Sequence, residues 1–109
     1  MYRRDAVDGA DLFVVVAEWP HPRCEVLQTL VRARAVENQA FLALSNRVGV
    51  SHDGTRFCGG SVVVGPDGRL AVDAGHEEGV CVGEVEHSLV TRARAELPVL
   101  DQRVAGLDW

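Results

Sequence analysis

Leu12-Phe13-Val14-Val15-Val16-Ala17 is the longest unbroken apolar run in the chain. At six residues, mostly β-branched, it is far too short to span a bilayer. It fits a strand covered on both faces, as in an α/β layer structure. Before it, Tyr2 to Val7 reads as a helical stub stopped at Gly9, which tolerates the left-handed backbone of a helix end. After it, Pro20 and Pro22 close the strand and set up a helix from about Arg23 to Gln39. In that helix Val26, Leu30 and Ala33 recur at helical spacing, flanked by Leu27 and Val31. The small Ala33 and Ala35 let it sit close on a sheet.

Phe41 to Ser45 predicts a second buried strand. Ser61–Val64, then Gly65-Pro66-Asp67-Gly68, then Arg69–Val72 predicts a hairpin. Proline presets the first turn position and glycine accepts the positive φ that follows. Val80 to Val85 predicts one more short strand, with Cys81 packed in the core. Ser88 is placed to cap a last helix through Leu97, where Pro98 stops it. No repeat, linker or low-complexity tract interrupts this order. Strand, helix, strand, hairpin, strand and helix together mean α/β layers.

Composition narrows the function classes. A chain of 109 residues with 47% hydrophobic residues is one domain or part of one. The net charge of −5 argues against a surface for nucleic acid or for an anionic membrane, both of which need clustered basic residues. All 11 basic residues are arginine, so no lysine is present for any catalytic role. Met1 is followed by Tyr2, Arg3, Arg4 and Asp5, without the apolar stretch of a secretory signal. Three cysteines at wide spacing fit a reducing compartment better than a disulfide scaffold, and the expected location is the cytoplasm.

Candidate chemistry is sparse. Cys24 begins a helix, whose N-terminal dipole favours a thiolate, and a non-catalytic role is the reading kept for it. Phe57-Cys58-Gly59-Gly60-Ser61 matches a strand motif of trypsin-like proteases. The histidine and nucleophile loop that such a triad needs are both missing. His21, His52, His76 and His87 are scattered, and no pair has metal-ligand spacing, so neither metal nor cofactor is expected. Glu37 stands three residues after Arg34, a spacing that allows an ion pair on one helix face.

The stretch Arg32–Val50, RARAVENQAFLALSNRVGV, with AEWPHPR at Ala17–Arg23, resembles the second half of the nitrilase superfamily of carbon–nitrogen hydrolases, in its ω-amidase branch. Further elements follow in order: Phe57, Gly59 and Ser61 before the hairpin, Pro66 and Gly68 in its turn, Glu84 and Glu86 on an acidic strand, and Arg94 ahead of Pro98. The resemblance implies α/β architecture of a partial α-β-β-α layered sandwich, with residues 1–109 as one partial domain. Such enzymes hydrolyse amides or nitriles with a Glu, a Lys and a Cys. The resemblance places all three in the first half, the cysteine several residues before Met1, so no catalytic residue is expected in this chain.

By the same resemblance, Glu18 and Trp19 line the substrate pocket at a strand's carboxyl end, where open α/β sheets place ligands. Arg34, Glu37, Asn38 and Asn46 belong to a packing motif that braces the helix against the sheet and a subunit contact. Two functions follow. One is the C-terminal portion of a Cys-Glu-Lys hydrolase of small (di)carboxylic acid amides. The other is a non-catalytic assembly subunit. Expected partners are a second copy or a complementary N-terminal half, with the small amide only in the complete enzyme, and no nucleic acid or membrane. An open sheet edge and uncovered apolar side chains predict a dimer, a higher assembly or aggregation.

Overall fold

The computed structural model describes residues 1–104 and Gly106. Three helices and four strands run in the order α1 (Tyr2–Val7), β1 (Leu12–Ala17), α2 (Cys24–Asn38), β2 (Phe41–Asn46), β3 (Val62–Val64), β4 (Leu70–Asp73) and α3 (His87–Glu96). The strands form one sheet in the order β1-β2-β3-β4. β1 and β2 are parallel, with Phe13 opposite Leu42 and Ala17 opposite Asn46. β3 and β4 return antiparallel through the expected hairpin, with a register shift between Val63 and Val64. Its turn is closed by Gly68 N–H donating to the Gly65 carbonyl, while Asp67 accepts from the Arg69 N–H.

Side chains of a strand alternate between faces, so the pairing aligns Phe13, Leu42, Leu44, Val62 and Val64 on one side. All five are buried with Ala6, Leu27, Val31 and Ala35 in a single core cluster. Helix α2 lies over that face. The buried stripe is Leu27, Val31, Ala35 and Asn38, one residue out of phase with the expected Val26, Leu30 and Ala33. Val26 and Leu30 are exposed instead. Both sets have helical spacing, so periodicity alone does not rank them, and the packing of α2 on the sheet does. Tyr2 on α1 closes the end of the core, edge-to-face against Phe13 at 5.1 Å between ring centroids.

Three further expectations are corrected. The β1 run is covered on one face only: Val14 is 71% and Val16 83% exposed. Among the described residues nothing lies over them, and a continuous apolar run carries no alternation that could reveal an open face. Val80 to Val85 forms no strand; Val80 and Val82 are more than 90% exposed, and Cys81 is an exposed free thiol rather than core. A strand needs a neighbour with free N–H and C=O groups, and this segment finds none. Ser88 does not cap α3. Glu86 holds the cap position without a side-chain cap bond, and Ser88 lies inside the helix.

Two long-range ties seat α3. Gln39 adopts a left-handed backbone (φ 50°) just past α2. Its side-chain amide donates to the carbonyls of Ala93 and Leu97 at 2.9 and 2.7 Å, adding a second bond to acceptors that already take the Leu97 and Val99 N–H groups and tying the two helix ends together. Arg94 donates to Asp11 Oδ1 and to the Ala10 carbonyl, both at 2.8 Å, and His87 Nε2 lies 2.6 Å from Asp11 Oδ2.

Candidate functional site

The parallel strands β1 and β2 end side by side, and the chain leaves each into a loop. Glu18 and Trp19 follow β1; Asn46 ends β2 and Arg47 follows it. Asn46 is buried, and its amide joins three segments. Its Oδ1 accepts from the Trp19 N–H at 2.9 Å, its Nδ2 donates to the Gly59 carbonyl at 2.8 Å, and its own N–H donates to Ser61 Oγ at 2.9 Å. The loop returns the connection, since Cys58 N–H donates to the Trp19 carbonyl and Gly59 N–H to that of Arg47. One asparagine therefore fixes both strand ends and the Phe57–Ser61 loop.

Glycine is required in that loop. Gly59 has a φ of 60°, and a side chain there would meet the His76 backbone within 3.1 Å. L-residues with a Cβ rarely hold that conformation. Around this hub the side chains are charged and open. Arg47 pairs with Glu18 at 3.0 Å, and its guanidinium stacks over Phe57 at 4.3 Å. Arg23 lies over Trp19 at 5.4 Å. The exposed Arg47–Glu18 pair contributes at most about 1 kcal/mol, so it orients Glu18 more than it stabilises the fold.

A cleft of about 380 Å³ opens between the strand ends, lined by Val16, Ala17, Glu18, Ser45, Asn46 and Arg47. A second, of about 470 Å³, runs from Asn46 and Ser61 toward Glu77, Glu78 and Cys81. The structure thus puts Glu18 at a concave strand end beside Asn46, with Trp19 joined to Asn46 through its backbone. The remaining motif residues stand elsewhere. Arg34 and Glu37 form an ion pair at 2.5 Å on the exposed side of α2, and Asn38 Nδ2 donates to the Arg34 carbonyl at 2.8 Å.

The cysteines are a further correction. Cys24 and Cys58 are joined by a disulfide, with Cα atoms 5.5 Å apart across a sequence separation of 34 residues. Wide spacing gave no hint of this pairing, because only the packing of the α2 start against the Phe57–Ser61 loop brings the two together. Neither sulfur is a free thiolate. Among the described residues no three His, Cys, Asp or Glu side chains converge as a metal site. Among them, too, no helix is long and apolar enough to cross a membrane.

Residues 2–95 match the carbon-nitrogen hydrolase family. The chain belongs to that family. It is similar to a 2-oxoglutaramate amidase of Bacillus subtilis (strain 168), with 36% identity over 99 residues covering 91% of this chain and 38% of the amidase. It is 45% identical over 64 residues to an omega-amidase of Escherichia coli (strain K12), covering 59% of this chain and 25% of that enzyme. The solved carbon-nitrogen hydrolase superfamily protein of Xanthomonas campestris superposes with a TM-score of 0.84 at 32% identity, over 91% of this chain and 37% of that one. The carbon–nitrogen hydrolase chain described here therefore spans well under half the length of these relatives, and it is ω-amidase-like within the nitrilase superfamily.

Within that family frame, four contributors went unread in the sequence. Gln39, Asp11 and His87 tie α3 to the sheet, and His76 Nδ1 lies 2.9 Å from the Cys58 carbonyl. The His76-Glu77-Glu78 cluster was the one available signal for the last; the other three carry none in local sequence.

Proposed function

We propose that this chain supplies part of the sheet and one wall of the substrate pocket of an ω-amidase-type hydrolase of small (di)carboxylic acid amides. The cysteine, glutamate and lysine come from residues outside these 109. The observation that carries the reading is the strand-end junction. Asn46 holds the Trp19 N–H and the Gly59 carbonyl, and with Glu18 and Arg47 it lines a concave opening at the place where parallel α/β sheets bind ligands. The absence of lysine from the sequence supports an outside source of chemistry. Arg34, Glu37 and Asn38 brace α2 in this reading. The protein works in the cytoplasm with no cofactor.

The open face of β1 and its unpaired outer edge favour a companion. A complementary N-terminal portion of such a hydrolase, or a second copy of this chain, would cover Val14 and Val16. The same observation favours a second reading, a non-catalytic assembly subunit.

Adding a homologous N-terminal half that carries Glu, Lys and Cys separates the two. Ammonia release from a dicarboxylate monoamide is expected only with both halves present. Trp19→Ala should then lower turnover more than it lowers assembly. Assembly without turnover would favour the subunit reading, and equal losses would make Trp19 a packing residue. Alone, the chain should show no turnover above background, since removing a catalytic unit costs roughly 10⁴–10⁶ in rate. Turnover by the chain alone that vanishes on Cys24→Ser would overturn the proposal.

A further inference from the structure

The Cys24–Cys58 bond sits at the edge of a cleft of about 580 Å³, lined by His21, Arg56, Phe57, His76 and Glu77 as well as the two cysteines. Its two ends differ. Cys24 is half-buried at the first turn of the 15-residue helix α2, whereas Cys58 is only 6% exposed. The bond joins the α2 start to the loop that holds Trp19 and Asn46: Cys58 N–H donates to the Trp19 carbonyl, and Asn46 reaches the neighbouring Gly59. In the cytoplasm assigned under the proposed function, a disulfide is generally one that opens and closes.

We propose that Cys24–Cys58 is an exchangeable disulfide whose reductant is a small dithiol entering this cleft, and that opening it loosens the Trp19–Asn46–Gly59 junction. The dithiol's thiolate attacks Cys24 Sγ, the sulfur that solvent reaches. The S–S electron pair passes to Cys58 Sγ, which takes up a proton. The dithiol's second thiol then attacks its own bound sulfur and expels Cys24. That leaving thiolate stands in the first turn of α2 beside the His21 carbonyl and takes up a proton. Two electrons and two protons move from the dithiol to the protein, and the dithiol leaves as a cyclic disulfide. The proposal rests on the cytoplasmic placement of the proposed function but not on its amidase chemistry, because no step and no readout below involves amide turnover.

The test uses the full chain carrying Trp109→Phe, which leaves Trp19 as the sole tryptophan. After oxidation, thiol titration in native buffer should count one thiol, that of Cys81, rising to three on adding dithiothreitol. Trp19 emission should shift in step with that rise. Cys58→Ser in the same background should show the reduced emission from the start and no response. Brief treatment with glutathione, followed by alkylation and peptide mass analysis, should place the mixed disulfide on Cys24. The proposal fails if three thiols titrate in the oxidised protein, or if the count stays at one under dithiothreitol. It fails equally if reduction leaves Trp19 emission unchanged, or if the glutathione adduct is found on Cys58.

Discussion

The two faces of the β1–β2 pair are built from nearly the same residues and have opposite fates. On the helix side, Phe13, Leu42 and Leu44 are buried under α2, with Leu42 only 1% exposed. On the other side, Val14 and Val16 stand in solvent. Both sets come from apolar strands, and both strands are satisfied along their shared ladder. What separates them is the presence of a layer opposite. Burial is a property of a pair of surfaces, and hydrophobicity supplies only one of them. The Val80–Val85 segment repeats the lesson for backbone groups: a strand-like composition without a partner stays out of the sheet.

That contrast is sharpest to break at Leu42. Leu42→Ala should cost about 2–5 kcal/mol, the transfer loss plus the cavity left in a covered core. Val14→Ala, one residue pair away on the open face, should change stability by less than about 0.5 kcal/mol. Urea denaturation of the two variants checks both, and equal losses would mean that the open face is covered in solution.

Removing the junction comes next. Asn46→Ala leaves the Trp19 N–H and the Gly59 carbonyl without their partners, at about 1–3 kcal/mol for each buried group left unpaired. Exchange of the Trp19 amide proton should quicken more than that of the β1 interior, marking the strand ends as the region released.

A smaller thermodynamic effect with a clear hydrodynamic readout is expected for Val16→Lys. A charge on the open face should leave stability within about 0.5 kcal/mol and shift sedimentation from an assembly toward monomer mass. An unchanged assembly would place the contact elsewhere. A sharp two-state melt of the unsubstituted chain at monomer mass would show that its sheet needs no companion.

Least in size is an effect whose pH dependence falls in the acid range. Asp53 is exposed, and its carboxyl is held at about 2 instead of 3.8, chiefly by the Ser51 hydroxyl and then by the Thr55 N–H. A depressed folded-state value stabilises the fold above the unfolded one. That contribution is lost as pH falls from 3.8 through about 2. Asp53→Asn should flatten the pH dependence of stability across that window and remove, at neutral pH, the small contribution that the ionised carboxylate makes there.

Much of this was legible along the chain. Helix α1, the strands β1 and β2, the hairpin with its Gly65-Pro66-Asp67-Gly68 turn, and the end of α3 at Pro98 all follow from local patterns, because they depend on backbone preferences within a few residues. The one-residue error in the buried face of α2 has a physical cause: Val26, Leu27, Leu30 and Val31 offer two adjacent apolar stripes, and composition cannot rank them. At the strand ends, the place of Glu18 and Trp19 follows from the end of β1. The grip of Asn46 on Trp19 and Gly59 does not, since its partners lie 27 and 13 residues away.

The sequence by itself determined the family, the α/β order of elements, the absence of lysine and the net negative charge. These are properties of residue identity and short-range spacing, which a chain carries whether or not it is folded. Only the tertiary structure decided which face of β1 is covered, that Cys24 meets Cys58, that Gln39 and Arg94 hold α3, and that Val80–Val85 stays unpaired. Each of those depends on what surface comes to lie opposite a residue. Distance along the chain does not encode that until the helices have packed on the sheet.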